Sequence, residues 1–256
     1  MKRIFILFIL CLLSLTSCTN IVYNDSDATV VEVKTSVTEI IKKVEGGCVA
    51  INATLNSTSS LGSGVIFKKE NDTYYFLTNY HVIGDYISDT SSKYKVYVTS
   101  NTNVINAYIL YDSKGNIVGD SNKDLAVMYF KSNSNYQVID IDPNLTYKVS
   151  KGESVIAIGC PISLENYNLV SIGNVSLEEY KAQNNSGYVN VIEHSATINP
   201  GNSGGGLFNI NGDLIGINFK GTTAVKEGES YVVVSGVYYA IALSSVKEFL
   251  NDYSLI

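Results

Sequence analysis

The chain offers only two histidines in its 256 residues, His81 and His194. Any reaction that needs an imidazole must therefore use one of them. The serine best placed to partner one is Ser203, in the glycine-lined turn Asn199-Pro200-Gly201-Asn202-Ser203-Gly204-Gly205. A serine hydroxyl attacks a carbonyl only with a base in hydrogen-bond reach and with donors for the oxyanion that forms. Gly201 has no side chain, so its amide and that of Ser203 can both face the developing charge. Gly204 and Gly205 let the backbone turn sharply and leave room for a substrate chain. His81 ends an aromatic run that starts at Tyr74, as expected for a strand that delivers an imidazole to a cleft. Asp124 opens the apolar run Leu125 to Phe130 and can orient that imidazole. His194 reads as a structural or surface residue.

The order His81, Asp124, Ser203 is that of chymotrypsin, not of subtilisin or the α/β-hydrolases. Four segments resemble the trypsin-like peptidase domain of the HtrA/Deg family of bacterial serine proteases. They are Leu77-Thr78-Asn79-Tyr80-His81-Val82, Asp124-Leu125-Ala126-Val127, Ile198 to Gly205, and Tyr239-Ala240-Ile241-Ala242. The resemblance runs from about Val37 to Tyr253. It departs from the family at Gly206, where proline is frequent, and at Cys160, where asparagine is frequent; no PDZ domain is expected to follow. It implies an all-β fold of two six-stranded antiparallel β-barrels, with the site in the cleft between them. It also implies a serine endopeptidase with catalytic His81, Asp124 and Ser203, and an oxyanion hole of Gly201 and Ser203. By the same analogy Thr197, Ile198 and Asn218 line the pocket for the residue before the scissile bond. Exposed or misfolded polypeptides are the implied substrates, and a homo-oligomer is open to the chain. No cofactor or metal is implied.

These groups need a scaffold, and the sequence reads as mostly β. It holds 19 Tyr and no Trp, with many Val, Ile, Thr and Ser, which favours strands. A first set of strands is expected over Cys48 to Leu55, Gly64 to Lys68, Thr73 to Thr78, Tyr94 to Thr99, Val104 to Tyr111 and Asp124 to Phe130. A second covers Ser154 to Gly159, Tyr167 to Leu177, Gly187 to Glu193, Gly206 to Ile210, Leu214 to Phe219 and Tyr231 to Ala242. Asn211-Gly212 marks a two-residue hairpin just after the serine turn. The barrels are expected over about 46–131 and 152–243, within a peptidase domain of 36–256. Ser-x-x-Glu capping boxes at Ser36 and Ser245 predict a short helix at each end. No internal repeat is apparent.

The amino terminus reads as a leader. Lys2-Arg3 precedes an apolar run from Ile4 to Leu13, too short to span a bilayer. Leu15-Thr16-Ser17-Cys18 resembles a lipoprotein cleavage box, so 1–17 is the expected signal peptide and Cys18 the lipid-bearing residue. Residues 18–35 form a polar tether to the membrane at the cell envelope. Cys48 and Cys160 then remain, as two buried thiols or as one disulfide. A net charge of −6 excludes an electrostatic footprint for nucleic acid. Two other readings stay open: a non-catalytic binding lipoprotein on a protease scaffold, and a secreted protease of narrow specificity.

Overall fold

The computed structural model describes residues 20–22, 31–33, 36–87, 89, 91–141, 147–183, 187–222, 224–227, 230–233 and 235–256. The expected signal peptide at 1–17, Cys18 and most of the tether lie outside them. The chain divides into a unit ending at Glu39 and a unit starting at Ile40. In the first, Asn20–Val22 pairs antiparallel with Val31–Val33. The capping box at Ser36 forms: the Glu39 amide donates to Ser36 Oγ at 3.2 Å, and the Ser36 amide to Glu39 Oε2 at 2.9 Å. Helix α1 (Val37–Val44) starts there and buries Ile40 and Val44.

The second unit is built from two barrels. The first comprises β1 (Cys48–Leu55), β2 (Thr58–Glu70), β3 (Thr73–Thr78), β4 (Lys93–Val98), β5 (Val104–Ile109) and β6 (Leu125–Lys131). Its antiparallel order is β1-β2-β3-β6-β5-β4, and β4 returns to β1. Alternation along the strands sends Val49, Ile51, Phe76, Val96, Met128 and Phe130 inward. Tyr74 stacks on Phe130 with ring centroids 5.1 Å apart. Each such side chain contributes about 1.5–3 kcal/mol on burial.

The second barrel comprises β7 (Ser154–Gly159), β8 (Leu169–Gln183), β9 (Tyr188–His194), β10 (Gly206–Asn209), β11 (Leu214–Gly221) and β12 (Tyr238–Ala242). Its order, β7-β8-β9-β12-β11-β10 with β10 back on β7, repeats that of the first barrel. The two cores share no residue pattern. The first is rich in aromatic rings, whereas the second is built on Val155, Ala157, Ile192, Leu207, Ile215 and Ala240. Sheet closure is therefore duplicated where sequence is not.

Three expectations need correction. The strand expected from Gly64 begins at Thr58, because the exposed Thr58 and Ser59 and the half-buried Ser60 still pair with Leu55, Thr54 and Ala53. The long strand expected from Tyr231 is two strands: Ser230–Val233 pairs with Ala224–Glu227 outside the barrel, and only Tyr238–Ala242 closes the barrel. The second capping box does not form. Helix α3 (Leu243–Asp252) begins two residues before Ser245, whose hydroxyl accepts the Asn190 amide at 3.1 Å. α3 then reaches the first barrel. Lys123 pairs with Glu248 at 3.3 Å and Asp252 at 3.1 Å, and the Tyr253 hydroxyl donates to the Gly119 carbonyl at 3.2 Å. The carboxyl-terminal helix thus braces the loop that leads into Asp124.

Candidate active site

β3 ends at Thr78, and the chain folds at once into the single-turn helix α2 (Tyr80–Ile83). Val82 and Ile83 are buried in the first barrel, so His81 on the other side of the turn is left half exposed, at 50% of its side chain. Asp124 lies at the entry to β6 with φ +52, a left-handed backbone that aspartate tolerates better than most residues. That turn aims both carboxylate oxygens at one residue. Oδ2 lies 2.6 Å from His81 Nδ1, and Oδ1 accepts the His81 backbone amide at 2.8 Å. The side chain of Asn79, fully buried, donates to the Asp124 carbonyl at 2.9 Å. A carboxylate oxygen accepts, so Nδ1 is the donor of this pair and Nε2 is the ring nitrogen turned away from Asp124.

The serine turn belongs to the second barrel but is held by the first. β2 and β3 pair only as far as Val65 and Leu77, which frees the Ser63 backbone on that edge. The Ser63 amide donates to the Ser203 carbonyl at 2.8 Å. Its hydroxyl donates to the Gly201 carbonyl at 2.7 Å and accepts the Cys160 amide at 2.8 Å. Its carbonyl accepts the Thr78 hydroxyl at 2.8 Å. Contact is so close that a Cβ on Gly204 would lie 2.2 Å from the Ser63 oxygen and 3.1 Å from the Asn79 nitrogen. Only glycine fits there, with φ +88, and this packing brings the turn beside the segment that carries His81. Gly201, at φ +102, is equally constrained: a Cβ would lie 2.4 Å from the Cys160 carbonyl oxygen.

Within the turn, the amides of Asn202, Gly204 and Gly205 donate to Asn199, Asn218 and Asn202 carbonyls. The amides of Gly201 and Ser203 have no acceptor among the described residues. Two spare amides flanking a serine are what an oxyanion site requires. Ser203 itself is differently engaged. Its hydroxyl donates to the Phe219 carbonyl at 3.2 Å, and not to His81. Phe219 falls where β11 slips register against β12, between Asn218 and Lys220.

A family model for the trypsin-like peptidase domain matches residues 62–217. The chain belongs to the trypsin-like peptidase family. It is similar to the "Serine protease Do-like HtrA" of Lactococcus lactis subsp. cremoris, at 32% identity over 86% of this chain and 57% of the relative. The protein of that name in Bacillus subtilis is 34% identical over 77% of this chain and 40% of the relative. "Serine protease HtrA-like" of Staphylococcus aureus is 29% identical over 77% of this chain and 24% of the relative. The chain thus spans from a quarter to a little over half the length of these relatives.

The remaining anticipated residues of this trypsin-like peptidase domain have mixed settings. Thr197 is exposed and Ile198 buried. Asn218 is fully buried, its Nδ2 donating to the Ile158 and Gly206 carbonyls. His194 is buried, and burial pushes its pKa down from 6.5 to about 4 against the opposing pull of the Ala196 backbone. Cys48 and Cys160 are free thiols, and burial pushes them up to about 12 and about 11. The sequence reading missed Ser63, Asn79 and the Phe219 carbonyl. The pair of glycines around Ser63, at 62 and 64, was the visible sign of close packing there.

Proposed function

We propose that this chain is a serine endopeptidase, and that His81, Asp124 and Ser203 are its catalytic residues. The observation that carries the reading is the clasp of His81 by both oxygens of Asp124, beside a turn whose spare amides are those of Gly201 and Ser203. In the reaction, His81 Nε2 takes the Ser203 proton as Oγ attacks the peptide carbonyl carbon. The same proton passes to the leaving amine as the C–N bond breaks, and water then repeats the sequence to release the acyl group. Asp124 holds the imidazole in the tautomer with Nδ1 protonated and stabilises the imidazolium. The Gly201 and Ser203 amides receive the oxyanion, each donor contributing about 3 kcal/mol to the transition state.

The substrates of this reading are exposed or misfolded polypeptides at the cell envelope. Kinship with proteins named HtrA supports it, as does the amino-terminal run that ends at Cys18. In this picture Cys18 carries the lipid that holds the domain at the membrane. The test is to incubate the protein with an unfolded polypeptide and read the cleavage sites by mass spectrometry. Cleavage that disappears in Ser203→Ala is expected. No cleavage by the wild type, or equal cleavage by the variant, refutes the reading.

A further inference from the structure

The turn from Asn199 to Gly205 commits every carbonyl from Asn199 to Ser203 to a hydrogen bond. The donors, in order, are the Asn202 amide, the Ile162 amide, the Ser63 hydroxyl, the Gly205 amide and the Ser63 amide. Three of the five come from outside the turn, and Ser63 supplies two of them. A trans peptide sets its C=O and N–H on opposite sides. Fixing a carbonyl therefore also fixes the direction of the amide that shares its plane. The Pro200 carbonyl, held at 2.8 Å by the Ile162 amide, fixes the Gly201 amide in this way. The next carbonyl, that of Gly201, accepts the Ser63 hydroxyl at 2.7 Å, and the amide in its plane, that of Asn202, donates to the Asn199 carbonyl.

Gly201 is the weak point of this arrangement. Glycine at φ +102 has alternative backbone states of similar energy, and within the turn a single bond, from the Asn202 amide to the Asn199 carbonyl, holds the peptide that follows it. The contact that holds the carbonyl side of this peptide is a hydroxyl on a strand of the other barrel, fully buried and shared with the Cys160 amide. We propose that Ser63 is a positioning residue for the oxyanion site: by holding the Gly201 carbonyl it fixes the Gly201–Asn202 peptide, the link that sets the Gly201 and Ser203 amides relative to each other in the closed turn. This rests on the serine endopeptidase reading. Without the hydroxyl, the Gly201 carbonyl and the Cys160 amide lose their partner together, in a site closed to water. Buried polar groups left unpaired are costly, so the Gly201 peptide has reason to rotate towards another donor. Rotation would turn the Asn202 amide, which shares that plane, away from the Asn199 carbonyl and open the turn that carries both oxyanion donors. Because the oxyanion exists only in the transition state, the loss falls on kcat and not on KM.

The test compares Ser63→Ala, Ser63→Cys and a control, Ser245→Ala, in the full-length protein. Ser245 is also a buried serine whose hydroxyl accepts a backbone amide, that of Asn190, but it lies on α3. Ser63→Ala is expected to lower kcat by about 10²-fold, the scale of one lost oxyanion donor, with KM within about threefold. Affinity for a peptide aldehyde, which forms the oxyanion, should fall in parallel. Ser63→Cys, similar in size but a weaker donor, should fall between. Ser245→Ala should keep wild-type kcat at whatever cost in melting temperature. If Ser63→Ala does not fold, Ser63→Cys decides, and wild-type kcat in that folded variant overturns the proposal. So does an equal kcat loss in Ser245→Ala, or a Ser63→Ala effect confined to KM. An inactive wild type, or an active Ser203→Ala, would instead sink the endopeptidase reading.

Discussion

The hydroxyl of Ser203 donates to the carbonyl oxygen of Phe219 across 3.2 Å, at the point where β11 and β12 slip register. The nucleophile of the proposed reaction must leave this carbonyl before His81 can take its proton. The bond is a single neutral one at a part-buried site, worth about 1 kcal/mol. Ser203→Ala should therefore unfold within about 1 kcal/mol of wild type while losing all detectable peptide hydrolysis. Denaturant unfolding and a peptidase assay on the same sample check both halves. A large drop in stability, or retained hydrolysis, would contradict the assignment.

Asp124→Asn keeps a residue type that tolerates the left-handed backbone at φ +52. Its amide oxygen can still accept the His81 backbone amide, but its NH₂ no longer suits a protonated Nδ1. The favoured tautomer is lost, and kcat should fall by about 10⁴-fold with the fold intact. A loss of tenfold or less would mean that Asp124 is not the orienting group.

His194 makes stability depend on pH. Its pKa is about 4 in the folded chain against 6.5 for a free histidine, because burial disfavours the charged ring. Between those values the unfolded state binds the extra proton. Stability is therefore full above about pH 6.5 and declines as pH falls towards 4, by on the order of 3 kcal/mol in all. His194→Phe should remove this part of the acid dependence while leaving that of the carboxylates. Urea midpoints measured at pH 7, 6 and 5 would show it; parallel slopes in both proteins would refute it.

Asn202 occupies the position before the serine, where digestive relatives of this fold place an aspartate that pairs with a freed amino terminus. Here the side chain is 2% exposed, and its Oδ1 has no partner among the described residues. No ammonium is needed to neutralise it, so the protein should need no activating cleavage within the domain. Amino-terminal sequencing of the active species tests this: a new terminus between Val37 and Gly64 would overturn it. Asn202→Asp would bury a carboxylate without a counter-charge. Its folded pKa should rise, so destabilisation is absent at low pH and grows as pH rises above about 3.9.

For cleavage specificity we expect small or medium aliphatic residues before the scissile bond. Thr197, Ile198 and Asn218, the residues the family likeness places around that pocket, include no acid to hold Lys or Arg and no cation to hold Glu. A cleavage profile dominated by Lys, Arg or Glu would overturn that expectation.

Local chemistry made much of this protein legible in its sequence. The serine turn is a contiguous run whose glycines are required by its own φ values and close contacts. The unbroken apolar runs of β6 and β7 follow from strands buried on both faces. Ser36 and Glu39 cap a helix because no other group among the described residues claims their side chains. The same Ser-x-x-Glu spacing failed at Ser245, where a strand 55 residues away takes the hydroxyl. The sequence also did not announce the repeated strand order, since barrel closure depends on pairings between distant strands and not on repeated residues. Tertiary structure alone decided the left-handed turn at Asp124, the slip that exposes the Phe219 carbonyl, and the role of Ser63. Ser63 lies 140 residues before Ser203, and its hydroxyl bonds to the Gly201 carbonyl across |i−j| of 138. No local pattern encodes that bond: it exists because two separately closed barrels pack edge to turn, and a buried backbone carbonyl must find a donor there.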